Sequence, residues 1–453
     1  ATEDQLDFPV IYASALNGYA GLTDDVEELQ KIGNMRAVFD AVIKYVPVRE
    51  DDAEAPLQLQ ICSLDYSSYV GKIGIGRVHR GTLKAGQSVM IMNGPDDTPK
   101  PAKINQIMQF EGLDKKIVES AQAGDIVLVN GIEELNIGTT ITDPAHPEAL
   151  PMLSVDEPTL TMSFMVNTSP LAGREGKFVT SRQIRERLER ELKSNVAMRL
   201  RPTADETCWE VCGRGELHLT ILLENMRREG YELQVGQPHV IVKEIDGKKC
   251  EPIEEMTVDC PQEYSGTVIE LATKRKGTLT NMETNGDRTR LEFTIPSRGI
   301  IGLRSNMLTA TAGEAIMTHR LKGFEPWTGE IEMRVNGSII SGETGTAYAY
   351  SIDKLQDRGR FFISPMEQVY EGQVIGEHTR QNDITVNVTK AKQLTNMRAS
   401  GSDEKTSIAP PKVFSLEEAL EYIKEDEYVE VTPHAMRLRK ILLNETDRKR
   451  ASK

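Results

Sequence analysis

From Pro56 to about Thr142 the apolar residues fall at every second position in short runs: LQLQICSLD, YVGKIGIGRVHRG, QSVMIM, AKINQIMQF and GDIVLVNG. Alternation of this kind marks half-buried strands, and many short strands without intervening helices argue for a small closed β-barrel. Lys84-Ala85-Gly86 and Ala123-Gly124-Asp125 supply its corners.

After residue 157 the period itself begins to alternate. The order is strand (LTMSFMVN), helix (181–194), strand (VAMRLRP), strand (ETCWEVCG), helix (216–229) and strand (YELQVG). The first helix carries Ile184, Leu188 and Leu192 at spacing four, with Thr180 and Gln183 placed as a capping box. In the second, Leu219, Leu222, Leu223 and Met226 face inward, Arg227 and Arg228 sit in the last turn, and Gly230 caps it. Residues 251–321 repeat the order, so the pattern predicts two tandem ferredoxin-like βαββαβ domains. Before the barrel, FPVIYASALNG and two helical stretches make an incomplete α/β layer, so the chain is expected to begin inside a domain. Beyond Trp327 strands and turns return, with one acidic helix after Pro410-Pro411. The expectation is a multidomain α+β chain with segments 1–50, 51–150, 151–243, 244–325 and a mostly β 326–453. Its 453 residues suffice for about three domains or more.

Motifs for chemistry are scarce. SPLAGREGKFVTSR (169–182) looks like a phosphate loop, yet GxxxxGK[ST] requires Gly where Leu171 stands and Ser or Thr where Phe178 stands. There is no GxGxxG. The five cysteines show no paired CxxC spacing, and Cys208 and Cys212 read as packing residues. The seven histidines form no HExxH; His218 beside Glu216 reads as a general base or, more simply, a packing residue. No stretch approaches the ~20 apolar residues of a membrane span, and ATEDQLDFP has no features of a signal peptide, so a cytoplasmic location is expected.

Charge points elsewhere. The net charge is −15, but residues 415–430 hold seven acids and one Lys, whereas 437–453 hold seven bases and two acids. That asymmetry suggests a locally basic surface, or a solvated tail. Lys274, Arg275 and Lys276 stack at a helix end, Arg298 and Arg304 flank a glycine-rich turn, and KAKQLTNMRASGSDEK (390–405) combines bases with amides and hydroxyls. With few aromatics, this composition suits RNA phosphate and sugar contacts better than base stacking; a solvated loop is the alternative.

Several of these stretches resemble known proteins. Residues 69–91 and 121–143 resemble the β-barrel domain shared by translational GTPases such as elongation factors Tu and G. GRGELHLTILLENMRREGYELQVGQPHV (213–240) resembles the GxGELHL element of the third domain of elongation factor G. SPLAGREGKFVTSRQI and QLTNMRASGSDE narrow the resemblance to the BipA/TypA family of ribosome-associated translational GTPases, from about residue 7 onward.

The resemblance implies a role in large-subunit assembly and stress adaptation, with the 70S ribosome, its large subunit, rRNA and A-site tRNA as partners, and a monomeric chain without membrane attachment. It places the last guanine-specificity element at Ser14, Ala15 and Leu16, with the P-loop, switches and catalytic histidine preceding residue 1. No cofactor is then expected on this chain, with GTP and Mg²⁺ belonging to the intact protein. It assigns tRNA and rRNA contact to Lys390, Lys392, Asn396, Arg398 and Lys405, and suggests that Arg174 and Lys177 face the G domain or rRNA. The alternative is a ribosome or RNA-binding assembly module that works without nucleotide.

Overall fold

The computed structural model describes residues 8–46, 52–153, 157–331, 334–391 and 408–451. The chain divides into two compact units, one of Ala1–Gln60, Ile75–Val129 and Thr139–Leu150, the other of Ile61–Gly74, Asn130–Gly138 and Pro151–Lys453.

In the first unit, strands Tyr12–Ser14 and Tyr19–Gly21 pair antiparallel ahead of helices Val26–Ile32 and Arg36–Tyr45. Asp25 caps the former helix and Gly33, at φ 57°, ends it. The short strands between Gln58 and Thr142 assemble into an eight-stranded sheet and a separate pair, Thr82–Lys84 with Ser120–Gln122. Period two puts Leu59, Val78, Ile91, Ile107, Leu128 and Ile141 inside. Gly86 and Gly124 take φ of 75° and 98° at the corners, a conformation that favours glycine.

The second unit contains two βαββαβ runs. The first comprises β1 (Leu160–Met165), α1 (Ser181–Leu192), β2 (Arg199–Pro202), β3 (Cys208–Gly213), α2 (Glu216–Glu229) and β4 (Leu233–Val235), with sheet order β2-β3-β1-β4. The next comprises β5 (Lys248–Pro261), α3 (Ser265–Lys274), β6 (Thr278–Asn285), β7 (Arg288–Pro296), α4 (Leu303–Ala310) and β8 (Ile316–Pro326), with order β6-β7-β5-β8. Each run therefore has the same spatial order of strands, second-third-first-fourth. The capping box of Thr180 and Gln183 is present at α1, and Gly230 closes α2 at φ 97°.

The first of these sheets does not stop at β4. Past the second run come β9 (Ser338–Ser341), β10 (Gln373–His378), β11 (Ile384–Val386), helix α5 (Leu416–Tyr422) and the hairpin β12 (Glu427–Val431) and β13 (Met436–Lys440). Strand β12 adds to β4 in antiparallel register, Leu233 opposite Val431 and Val235 opposite Val429. The sheet then continues through β13, β10, β9 and β11. One core follows it: Phe164, Leu188, Leu223 and Val235 are buried together with Leu416, Leu420, Ile423, Val429 and Leu438. Each such aliphatic side chain contributes roughly 1.5–3 kcal/mol of burial. Helix α5 starts at a second capping box, Ser415 with Glu418.

Candidate functional site

The stretch 169–178 folds as a loop whose backbone amides converge on an anion, and that anion is internal. The amides of Gly173 and Gly176 donate to the Glu232 carboxylate at 2.6 and 2.8 Å, that of Glu175 at 3.3 Å, and Asn167 Nδ2 adds a fourth bond at 2.8 Å. Gly173 takes φ 77° to turn its neighbours inward. At Gly176 a Cβ would come within 2.3 Å of the Glu232 Cβ, so only glycine permits the approach. Glu232 is 1% exposed. The donors that a nucleotide phosphate would need are committed to a side chain of the chain itself, and these residues do not fit a triphosphate.

The same loop holds the C-terminal segment. Arg437 bridges Glu175 and Glu430, the latter at 3.2 Å. Glu430 is fully buried and also accepts from Asn167 Nδ2 at 3.0 Å, Ser169 Oγ at 2.9 Å and the Tyr370 hydroxyl at 2.9 Å. Thr432 Oγ1 donates to Glu175 as well. Burial works against the ionised form of Glu175, but the bonds from Thr432 and Arg437 and the Arg437 charge outweigh it and hold its pKa below the ordinary value. Burial first, and the Glu430 charge next, raise the Tyr370 hydroxyl.

A second cluster corrects the reading of the tail. Lys440, 1% exposed at its side chain, meets Asp383 at 2.6 Å, Asp426 at 2.7 Å and Glu427 at 3.0 Å, and Arg334 reaches Glu427 at 2.9 Å. The bases at 437–440 are thus neither a basic surface nor a solvated tail. They form an inner strand in which Arg437 and Lys440 are paired with carboxylates, while Arg439 donates to Thr168 Oγ1 and to backbone carbonyls.

The basic residues singled out in the sequence separate by environment. Lys274 and Lys276 are exposed, Lys274 pairing with Glu270 at 2.6 Å and Lys276 sitting in a left-handed turn at φ 64°. Arg275 is half-buried and donates to the Ile301 carbonyl at 3.1 Å. Arg298 lies inside, bonded to the buried Glu251, Thr328 and the Gly329 carbonyl, with its guanidinium 3.9 Å from the Trp327 ring. Arg304 is exposed at the first turn of α4. Arg174 and Lys177 are exposed on the carboxylate-binding loop. Lys390 is exposed, with its carbonyl accepting from Ser351 Oγ at 2.6 Å. Lys392, Asn396, Arg398 and Lys405 lie outside the described residues. Ser14 and Ala15 form a tight turn, with Gly18 N–H bonded to the Ser14 carbonyl at 2.9 Å and Asn17 Nδ2 to Ser14 Oγ at 3.0 Å, and Leu16 is 95% exposed at its tip.

Asn195 Nδ2 donates to His218 Nε2 at 2.7 Å, and burial lowers the imidazole's pKa. Cys208, Cys212, Cys250 and Cys260 are free thiols, and among the described residues no group of His, Cys, Asp and Glu is arranged to hold a metal. No described helix is long and apolar enough to cross a membrane. The reading of residue types missed Glu232, Glu430 and Arg437 altogether. Glu232 stands just before the short strand Leu233–Val235, and Glu430 and Arg437 stand in strands that carry other charged residues, so residue type alone did not single them out.

Three family models match successive parts of the chain: elongation factor Tu domain 2 at residues 71–142, elongation factor G C-terminus at 248–335, and TypA/BipA C-terminal domain at 336–445. The large ribosomal subunit assembly factors BipA of Bacillus subtilis and Salmonella typhimurium are each 50% identical to it over 455 aligned residues, covering 100% of this chain and 74% of the relative. That of Haemophilus influenzae is 50% identical, with 73% of its length covered. Half-identical along its whole length to these proteins, and ending in the domain that carries their name, the chain belongs to the BipA/TypA family.

Proposed function

We propose that the chain is the ribosome-engaging part of a translational GTPase that acts in assembly of the large ribosomal subunit. The observation that carries this reading is the 50% identity, over the full chain, to factors of that activity. The succession of elongation factor Tu-like, elongation factor G-like and BipA-specific parts supports it.

On this reading the first 50 residues are the end of a G domain, 51–150 a translation-factor barrel, 151–243 and 244–325 two ferredoxin-like domains, and 326–453 the BipA-specific domain. The second-third-first-fourth strand order in both βαββαβ runs is the order of a ferredoxin-like sheet and supports that assignment. The protein works as a cytoplasmic monomer on rRNA and A-site tRNA. Contact with RNA phosphates falls to Lys274, Lys276, Lys390, Arg174 and Lys177, whose heads are exposed, and to Lys392, Asn396, Arg398 and Lys405 by family resemblance. Arg275 and Arg298 shape the turns that present them.

GTP and Mg²⁺ belong to the activity of the intact family member. Of the residues described, the Ser14–Leu16 turn is the candidate for approaching a guanine base. No phosphate site is available at 173–176, where Glu232 takes the amides, and no hydrolytic step follows from these residues. A fluorescent guanine nucleotide titrated onto this 453-residue chain is therefore expected to show no Mg²⁺-dependent micromolar binding.

Salt-dependent pelleting with ribosomes tests the RNA contact. Replacing Lys274, Lys276 and Lys390 by Gln is expected to weaken pelleting and to reduce the slope of log K against log salt by about one for each phosphate no longer neutralised. An unchanged slope would leave these side chains as solvated surface.

A further inference from the structure

The turn that binds Glu232 sets an acid between two bases, in the order Arg174, Glu175, Gly176, Lys177. Its backbone is held from both sides. The amides of Gly173, Glu175 and Gly176 serve Glu232, and those of Lys177 and Phe178 donate to the Gly230 carbonyl at 2.8 and 3.2 Å. The Phe178 carbonyl in turn accepts from the Glu232 N–H at 3.0 Å, and the Phe178 and Tyr231 rings pack with centroids 4.8 Å apart. With the backbone fixed, the charge the turn presents depends on where each side chain points.

The acid and the bases point apart. Arg174 and Lys177 are exposed, and neither forms an ion pair among the described residues; the Lys177 ammonium stands 5.2 Å from the Phe178 ring centroid. Glu175 is only 22% exposed at its side chain and turns toward the β12–β13 hairpin, where Thr432 Oγ1 and the Arg437 guanidinium donate to it. His434, exposed on the same hairpin, adds positive charge facing that carboxylate when protonated. The other acids beside the turn are also occupied. Glu232 lies beneath it with the amides on its oxygens, and Glu229, next to Gly230, is paired with Arg187 at 2.7 Å and Arg190 at 3.0 Å.

We propose that Glu175 is a positioning residue for RNA contact: held inward by Thr432 and Arg437, it is kept from pairing with Arg174 and Lys177 and leaves both to meet phosphate oxygens. The inference rests on the reading that these two bases touch RNA, and names what keeps them available. An acid released to the surface at position 175 would compete with phosphate for both, and each base neutralised by the chain itself is one phosphate contact fewer. The C-terminal hairpin therefore sets the charge of a surface that it does not itself present.

The test is fluorescence anisotropy with the full chain and a labelled RNA hairpin over a range of salt. Glu175→Asp keeps the charge but shortens the side chain by about 1.5 Å, which takes the carboxylate out of reach of Thr432 and Arg437 on a turn fixed by its amides. It is expected to raise the Kd for the RNA about three- to tenfold and to lower the slope of log K against log salt by up to about two. Glu175→Gln removes an acid without exposing one and is expected to bind about twofold more tightly. A purely structural role for Glu175 would make the charge-conserving variant the milder, so the order of the two variants discriminates. Carbodiimide labelling with peptide mapping reads the carboxylate directly: it is expected to be protected in the wild type and labelled faster in Glu175→Asp. Thermal melts verify that each variant is folded. Equal labelling, or weaker RNA binding in both variants, would overturn the proposal. Arg174→Gln with Lys177→Gln tests the reading beneath it and is expected to weaken RNA about tenfold. No effect there would remove the RNA contact itself, whereas a tenfold loss there, with the Asp and Gln variants alike, would remove only the role of Glu175.

Discussion

Glu232 shows how a single side chain can decide what a loop does. Three backbone amides and the Asn167 side chain satisfy its carboxylate, in the arrangement by which proteins commonly bind phosphate. Glu232→Gln puts an amide donor among those donors, and a loss of about 2 kcal/mol is expected from the charge-assisted bonds it forfeits, whereas Glu186→Gln on the open face of α1 should stay within about 0.5 kcal/mol. Urea midpoints at constant m-value distinguish the two. Gly176→Ala should also destabilise, by about 1–3 kcal/mol, because the neighbouring atom is the fixed Glu232 Cβ. Glu216 gives a pH dependence of defined sign. The folded state holds its proton up to about pH 7, while the unfolded state loses it near the ordinary Glu value, so the contribution is fully present at acid pH and is lost as pH rises through about 7. Glu216→Gln should therefore raise stability at pH 8 by an amount on the order of 2 kcal/mol and change it little at pH 4, as chemical denaturation at the two pH values will show.

At the scale of elements, what was legible was local. Both α1 and α2 were readable from spacing, capping residues and Gly230, because those signals act within a few residues. The addition of β12 to β4 was not legible, since it joins residues about two hundred positions apart through backbone bonds that carry no residue preference. Reading the chain as a row of domains missed this continuity of sheet and core. Charge was misread for a related reason: an acidic segment followed by a basic one looks like a polar face until the hairpin sets Glu430 opposite Arg437 and Glu427 opposite Lys440. Arg437→Met leaves the buried Glu430 without its cation and should cost about 3–5 kcal/mol. Adding Glu430→Gln to that variant should cost less than the sum of the two changes, and a double-mutant cycle measures the difference. Amide exchange should find β4 and β12 opening together rather than separately.

For the whole molecule, a net charge of −15 and RNA binding are compatible because charge is distributed by depth as well as by count. Arg437, Arg439 and Lys440 lie in the interior, whereas Lys274, Lys276, Arg174, Lys177 and Lys390, the cations proposed for phosphate contact, are exposed. Residue type alone could not distinguish the two sets: Arg298 and Lys276 belong to similar basic stretches, yet one is bonded to a buried carboxylate and the other stands in solvent. The central claim, that this surface engages the large ribosomal subunit, is tested most directly by sedimenting the chain with purified large and small subunits in parallel gradients at low salt. Co-migration with the large subunit, and not with the small one, is the predicted result; migration with neither, or equally with both, would contradict it.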